Sequence, residues 1–238
     1  MTTRTAGPSP LTRARVAGIL YVIANLFAPF ALLYLPSRFI VRGDAAATAH
    51  NIMASESLFR VGIVLNLFNL IATIFLVLAL YQLLKVVNKN MASLMVIFVL
   101  VAVPIGMLNE LNYLAVLQLL SGTDYLKVFP ADQLQALVYL FLRLHTQGFL
   151  ISQIFWGLWL FPMGWLVFKS GFMPRILGIL LIIGCFGYVI QSFGVFLQPT
   201  FNTNIIFFTS WGELFFLLWL LIKGVNVEQW EKRATESA

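Results

Sequence analysis

The chain has little with which to do ordinary soluble chemistry: one cysteine, two histidines, and Asp, Glu, Lys and Arg making up only 10% of 238 residues. A lone Cys185 excludes an intrachain disulfide and a cysteine-based metal cluster, and within its apolar run it reads as a small filler. A charged fraction this low, against about 25% in soluble domains, leaves too little polar surface for a soluble globule, a disordered chain or a stapled mini-protein. The net charge is +6, yet the 15 Lys and Arg form no run on a DNA-reading element, so nucleic acid is not a partner this sequence points to. Local catalytic signatures are missing too: there is no G-x-S-x-G elbow, no Walker or Rossmann glycine pattern, no H-E-x-x-H and no haem-attachment sequence.

What is present is apolar. The residues AVILMFWYC make up 61% of the chain and the mean hydropathy is +0.92, the composition of an all-α polytopic membrane protein. A spanning helix needs about 20 mostly apolar residues, and six segments qualify: 16–35, 61–84, 91–111 (with an extension to 120 open), 148–168, 176–197 and 205–222. Arg4, Arg13 and Arg15 before the first segment resemble a signal peptide. Its apolar run is too long for one, however, and the small residues Ala45 to Ala49 lie beyond Arg38, Arg42 and Asp44, so an uncleaved span is expected.

The basic residues orient the bundle. With a cytoplasmic N-terminus, ten Lys and Arg fall inside and five (Arg38, Arg42, Arg60, Lys127 and Arg143) outside, as the positive-inside rule requires. Residues 1–14 and 225–238 are then cytoplasmic tails, the latter too short and polar for a domain. Asp44 is a good N-cap for a short outer helix reaching Leu58, and Pro130 starts another. From Ala131 to Phe168 the helical pattern covers about 57 Å, nearly twice the hydrocarbon core. The helix must project outward or bend near Gln147 and Gly148; two spans there would put Lys169 and Arg175 outside. The segments 44–58 and 121–147 together suggest an outer lid.

Intramembrane polar residues are functional candidates by default. Glu213 lies ten residues from Lys223, hence about 15 Å deep. The same counting gives Asn25 about 15 Å and Thr73 about 18 Å, making them its natural partners. Asn69, Gln153 and Gln191 coincide at about 24 Å, Asn66 and Glu110 lie near 28 and 31 Å, and His145, Arg60 and Arg143 reach the outer boundary. The inner third has almost no strongly polar side chain, so a cavity open to the outside is expected. Gly62, Asn66, Asn69 and Thr73 form one helical stripe, and Gly184, Gly187, Gln191, Gly194 and Gln198 another; both also suit packing seams. Glu213 can equally be a structural hydrogen-bonding group, and Glu110 a solvated residue or one paired with Arg143 or Arg60. His50, His145 and Glu110 are the one conceivable zinc set, but without supporting spacing no metal is expected.

Several pieces resemble a bacterial family of six-span membrane proteins known as a domain of unknown function. They are Arg15 to Tyr21, Gly43 to Thr48 with Asn51 and Ile52, Ser57 to Arg60, Pro174 to Gly178, Gly212 to Leu214, and Leu218 to Gly224. The resemblance implies a prokaryotic cytoplasmic membrane and six helices, and brings no reaction or catalytic residue. The expectation for function is therefore a membrane protein binding a lipid or small amphiphile in an outward-facing polar pocket. The alternatives are an intramembrane enzyme, using Glu213 or Glu110 with His145 as acid or base or acting as a metal-assisted hydrolase, and a proton-coupled carrier titrating at Glu213. The partners expected are membrane lipids and a small amphiphilic ligand, with no cofactor; the sequence carries no signal for oligomeric state.

Overall fold

A computed structural model of the chain describes residues 8–236 apart from 27–29, 31–33, 199 and 202–203. Among the described residues all regular structure is helical. The helices are α1 (Pro10–Asn25), α2 (Leu35–Phe39), α3 (Ala45–Ala54), α4 (Glu56–Leu84), α5 (Lys89–Leu119), α6 (Ala131–Leu158), α7 (Leu160–Ser170), α8 (Arg175–Leu197), α9 (Ile205–Thr209), α10 (Trp211–Ile222) and α11 (Val227–Glu236), with a 3-10 turn at Asp124–Leu126. Five stretches are long and apolar enough to cross a membrane: α4, α5, Ala131–Ser170, α8 and Ile205–Ile222. They leave large apolar side chains exposed, among them Val64, Phe75, Leu108 and Ile183, as lipid-facing surfaces do. These helices fit a multi-pass membrane protein. The first expected span, 16–35, falls partly outside the described residues, and α1 is 16 residues long.

Several boundaries differ from those expected. α1 starts ahead of Val16, where Ser9 Oγ accepts from the Thr12 backbone N–H and Pro10 opens the helix, both favourable N-terminal features. The outer helix over 44–58 ends at Ala54. Asp44 Oδ1 caps it at Ala47 N as expected, but Ser55 leaves helical conformation and Glu56 to Leu58 open α4 instead. α5 takes the longer of the two lengths considered. The long helix runs unbroken through Gln147 and Gly148 and is interrupted at Trp159; Pro162 lacks the N–H that would bond the carbonyl of Leu158, so the ladder breaks there. The sixth segment is likewise divided, at Ser210. The tail after Val225 is not featureless: Gly224 turns the chain at φ +67°, Asn226 Oδ1 caps Gln229 N, and α11 follows.

The chain forms two compact units. Unit 1 comprises the described residues of Met1–Val22, Ala72–Ala102 and Gln153–Ala238; unit 2 comprises those of Ile23–Ile71 and Val103–Ser152. The boundaries fall within α1, α4, α5 and α6. Unit 1 buries Leu76, Leu80, Met95, Leu160, Leu181 and Phe216. Its α7 and α8 approach so closely that a Cβ on Gly164 would stand 2.6 Å from the carbonyl of Gly178, so only glycine fits. Unit 2 is centred on Leu35, Phe39, Ile52, Phe59, Val116 and Leu142. There α2 and α3 are tied by Thr48 Oγ1, which donates to Asp44 O and accepts from Val41 N.

Candidate functional site

In unit 2, Asn66 of α4 and His145 of α6 converge on Glu110 of α5, which is 2% exposed. Its Oε1 accepts from Asn66 Nδ2 and lies 3.1 Å from His145 Nε2. Oε2 is buried and has no hydrogen-bond partner among the described residues. Tyr113, three residues on and therefore on the same helix face, stacks against the His145 ring with centroids 3.5 Å apart and planes 11° from parallel. Asn109 Nδ2 donates to the His145 carbonyl at 2.9 Å, and Gly148 has no side chain to obstruct the Asn109 amide. The imidazole is thus fixed by a ring on one side, a carboxylate at Nε2, and an amide on its own backbone.

The other side of Tyr113 is apolar. Phe59 lies 4.9 Å from it and Phe39 5.4 Å from Phe59, centroid to centroid. Leu35, Pro36, Phe39, Ile40, Phe59, Tyr113 and Leu142 line a cavity of about 10 Å³, room for about one water. One residue, Tyr113, is therefore shared between an apolar cavity and a buried acid whose second oxygen lacks a donor. Such orphaned groups are uncommon in native proteins and point to a role beyond packing.

Unit 1 holds the other buried acid differently. Glu213 accepts from Tyr21 Oη at 2.8 Å on Oε2 and from Tyr188 Oη at 2.9 Å on Oε1. Tyr21 in turn packs edge-on against Trp159 and Phe216. Tyrosines were not expected here, Asn25 and Thr73 being the partners inferred from depth. Thr73 is buried in unit 1, whereas Asn25 belongs to unit 2. Gln153, in unit 1, is buried and donates to Tyr188 O at 3.5 Å. Gln191, in the same unit, is half-buried. In unit 2, Asn69 donates to the Ala24 carbonyl.

The stripes work as packing seams in part: Leu35 lies against Gly62, and Thr209 against Gly184 and Gly187. The expected pairing of Glu110 with Arg143 or Arg60 is replaced by His145 and Asn66, because Arg60 pairs with Glu56 at 2.7 Å and Arg143 is exposed. His50 is exposed on α3. Among the described residues no three His, Cys, Asp or Glu come together as a metal site, so the set His50, His145 and Glu110 does not assemble.

An uncharacterised protein of Archaeoglobus fulgidus is 39% identical over 79 residues, a match that covers 33% of this chain and 48% of that protein. The chain thus spans about half the length of this relative. No solved structure matches. Residues 16–224 match the family described as "Domain of unknown function (DUF4386)", and the chain belongs to that family.

Proposed function

We propose that this membrane protein binds a lipid or small amphiphile in unit 2. The apolar part lies among Phe39, Phe59 and Leu142, and the polar end lies toward Glu110 and His145. The observation that supports this is the orphaned Glu110 Oε2 beside an apolar cavity that shares Tyr113 with it. A head with a hydroxyl or N–H donor meets an unfilled acceptor there, whereas a carboxylate head, which has only acceptors, offers it no donor. A cavity of about 10 Å³ does not hold an acyl chain, so occupancy displaces side chains around it. In this reading the protein sits in a prokaryotic inner membrane with both termini cytoplasmic and the pocket facing outward.

The experiment is a melting-temperature series in detergent with 1-monooleoylglycerol or oleate. The neutral glyceride stabilises the protein and oleate does not, and Leu142→Trp, which fills the cavity, abolishes the effect. No stabilisation of the unaltered chain, or equal stabilisation of Leu142→Trp, overturns the reading. Topology is tested separately: reporter fusions after Val87 and Phe172 read cytoplasmic, and those after Ala47 and Asp124 external.

A second reading, an intramembrane enzyme, is favoured by the 3.1 Å contact between His145 Nε2 and Glu110 Oε1. An imidazole oriented by a carboxylate is a competent general base. Turnover of the bound amphiphile that disappears in His145→Ala while binding persists would select it.

A further inference from the structure

We propose that the cation-rich end of unit 1 binds the phosphate groups of anionic phospholipids. α11 draws that end together: Trp230 Nε1–H donates to Leu83 O at the end of α4 at 2.8 Å, and Arg233 Nη2 donates to Lys169 O near the end of α7 at 3.1 Å. Asn226 N–H bonds Phe172 O at 3.1 Å, and the Arg13 guanidinium stands 5.4 Å from the Trp230 ring centroid. The start of α1 and the ends of α4 and α7 therefore meet α11, and the end of α10 leads into it through Gly224. All nine Lys and Arg among the described residues of unit 1 lie at or near these helix ends or on α11, whereas of the four Glu of that unit three lie on α11 and the fourth, Glu213, is the tyrosine-bound acid.

Among the described residues, ion pairing accounts for one of these nine cations, Arg233, which lies 3.5 Å from Glu236, and for none of the others. Lys89 opens α5 and Arg175 opens α8, and the first turns of α1, α5 and α8 contain no acid. A cation at a helix N-terminus is repelled by the macrodipole, so an anion in that plane is attracted by both side chain and backbone. Lys169 and Arg175 stand over the same Phe168 ring, at 6.0 and 5.7 Å from its centroid, with no acidic partner among the described residues. The remaining guanidinium nitrogen of Arg233, Nε, is buried with no acceptor among the described residues.

The neighbouring surface selects a lipid over a free anion. Arg15, Arg175 and Lys223 are each adjacent in sequence to an exposed aliphatic residue, Val16, Ile176 and Ile222. A ligand that places phosphate on the cations and acyl chain on these neighbours matches both halves. The site is independent of the pocket proposed in unit 2.

The test is native mass spectrometry of the full chain with dioleoylphosphatidylglycerol or dioleoylphosphatidylcholine. The unaltered protein retains the anionic lipid preferentially, and the preference falls between about 50 and 500 mM NaCl as screening shortens. The triple variant Lys169→Gln, Arg175→Gln, Lys223→Gln weakens retention about fivefold per cation removed. Arg38→Gln, Arg42→Gln, Lys127→Gln in unit 2 leaves it unchanged. Millimolar inorganic phosphate does not compete. Equal retention of the two lipids, no salt dependence, an undiminished triple variant or competition by phosphate each overturns the proposal. Should the triple variant fail to fold, the lipid preference of the unaltered protein and its salt dependence decide the matter.

Discussion

Units 1 and 2 each bury one glutamate, and treat it in opposite ways. Glu213 in unit 1 receives a tyrosine hydroxyl on each oxygen; Glu110 in unit 2 has Asn66 Nδ2 and His145 Nε2 both against one oxygen and, among the described residues, no partner on the other. Their charge balance differs as well. Unit 2 has five Lys and Arg against five acids, while unit 1 has nine among its described residues against four. In the proposed reading, depth does not separate a structural acid from a functional one, and the completeness of its hydrogen bonding does: Glu213, first singled out by its depth, is assigned to the packing, and Glu110 to the ligand site.

The comparison can be broken at several points. The largest effect is expected from Trp230→Ala, which removes the buried ring joining α11 to α4 and its bond to Leu83 O; about 3–5 kcal/mol of stability is lost, measured by thermal unfolding in detergent. A loss under about 1 kcal/mol would mean that α11 does not hold unit 1 together. Glu110→Leu strips Asn66 and His145 of their shared acceptor and is expected to cost about 1–3 kcal/mol. Glu213→Leu leaves two tyrosine hydroxyls without their acceptor, and the expected loss is about 0.6–2 kcal/mol, as for interhelical hydrogen bonds in membranes. Glu213→Gln keeps shape and a carbonyl acceptor, and a phenol can accept from the new N–H, so a change within about 0.5 kcal/mol is expected. A larger effect of Glu213→Gln on ligand response than on stability would reverse the roles given to the two acids.

Much of this was legible along the chain, because hydrophobic runs fix where helices can cross and Asp44 announces its own cap. The i, i+4, i+7 spacing of Gly62, Asn66 and Asn69 placed the two amides on one face, and depth put Asn66 and Glu110 at similar levels, although the partners inferred for Glu110 were Arg143 and Arg60. Depth is one coordinate, however, and partners also require helix order and rotation. Tyr21 and Glu213 are 192 residues apart, and a tyrosine inside an apolar run reads as packing until its neighbour is known. Tyr113 was missed as well, although it follows Glu110 by three residues and so shares its helix face. α11 was missed because a short polar tail was judged by length, although Val227, Trp230 and Ala234 recur at helical spacing behind Gly224 and Asn226.

The central claim, that the acid with the empty oxygen marks the ligand site, is tested most directly by the 1-monooleoylglycerol melting shift in Glu110→Gln and Glu213→Gln. Glutamine at 110 can turn an N–H toward the place where a donor head is expected, while glutamine at 213 alters only a tyrosine cluster in the other unit. The shift should vanish in Glu110→Gln and persist at its original size in Glu213→Gln. A shift that survives in Glu110→Gln and disappears in Glu213→Gln would contradict the account.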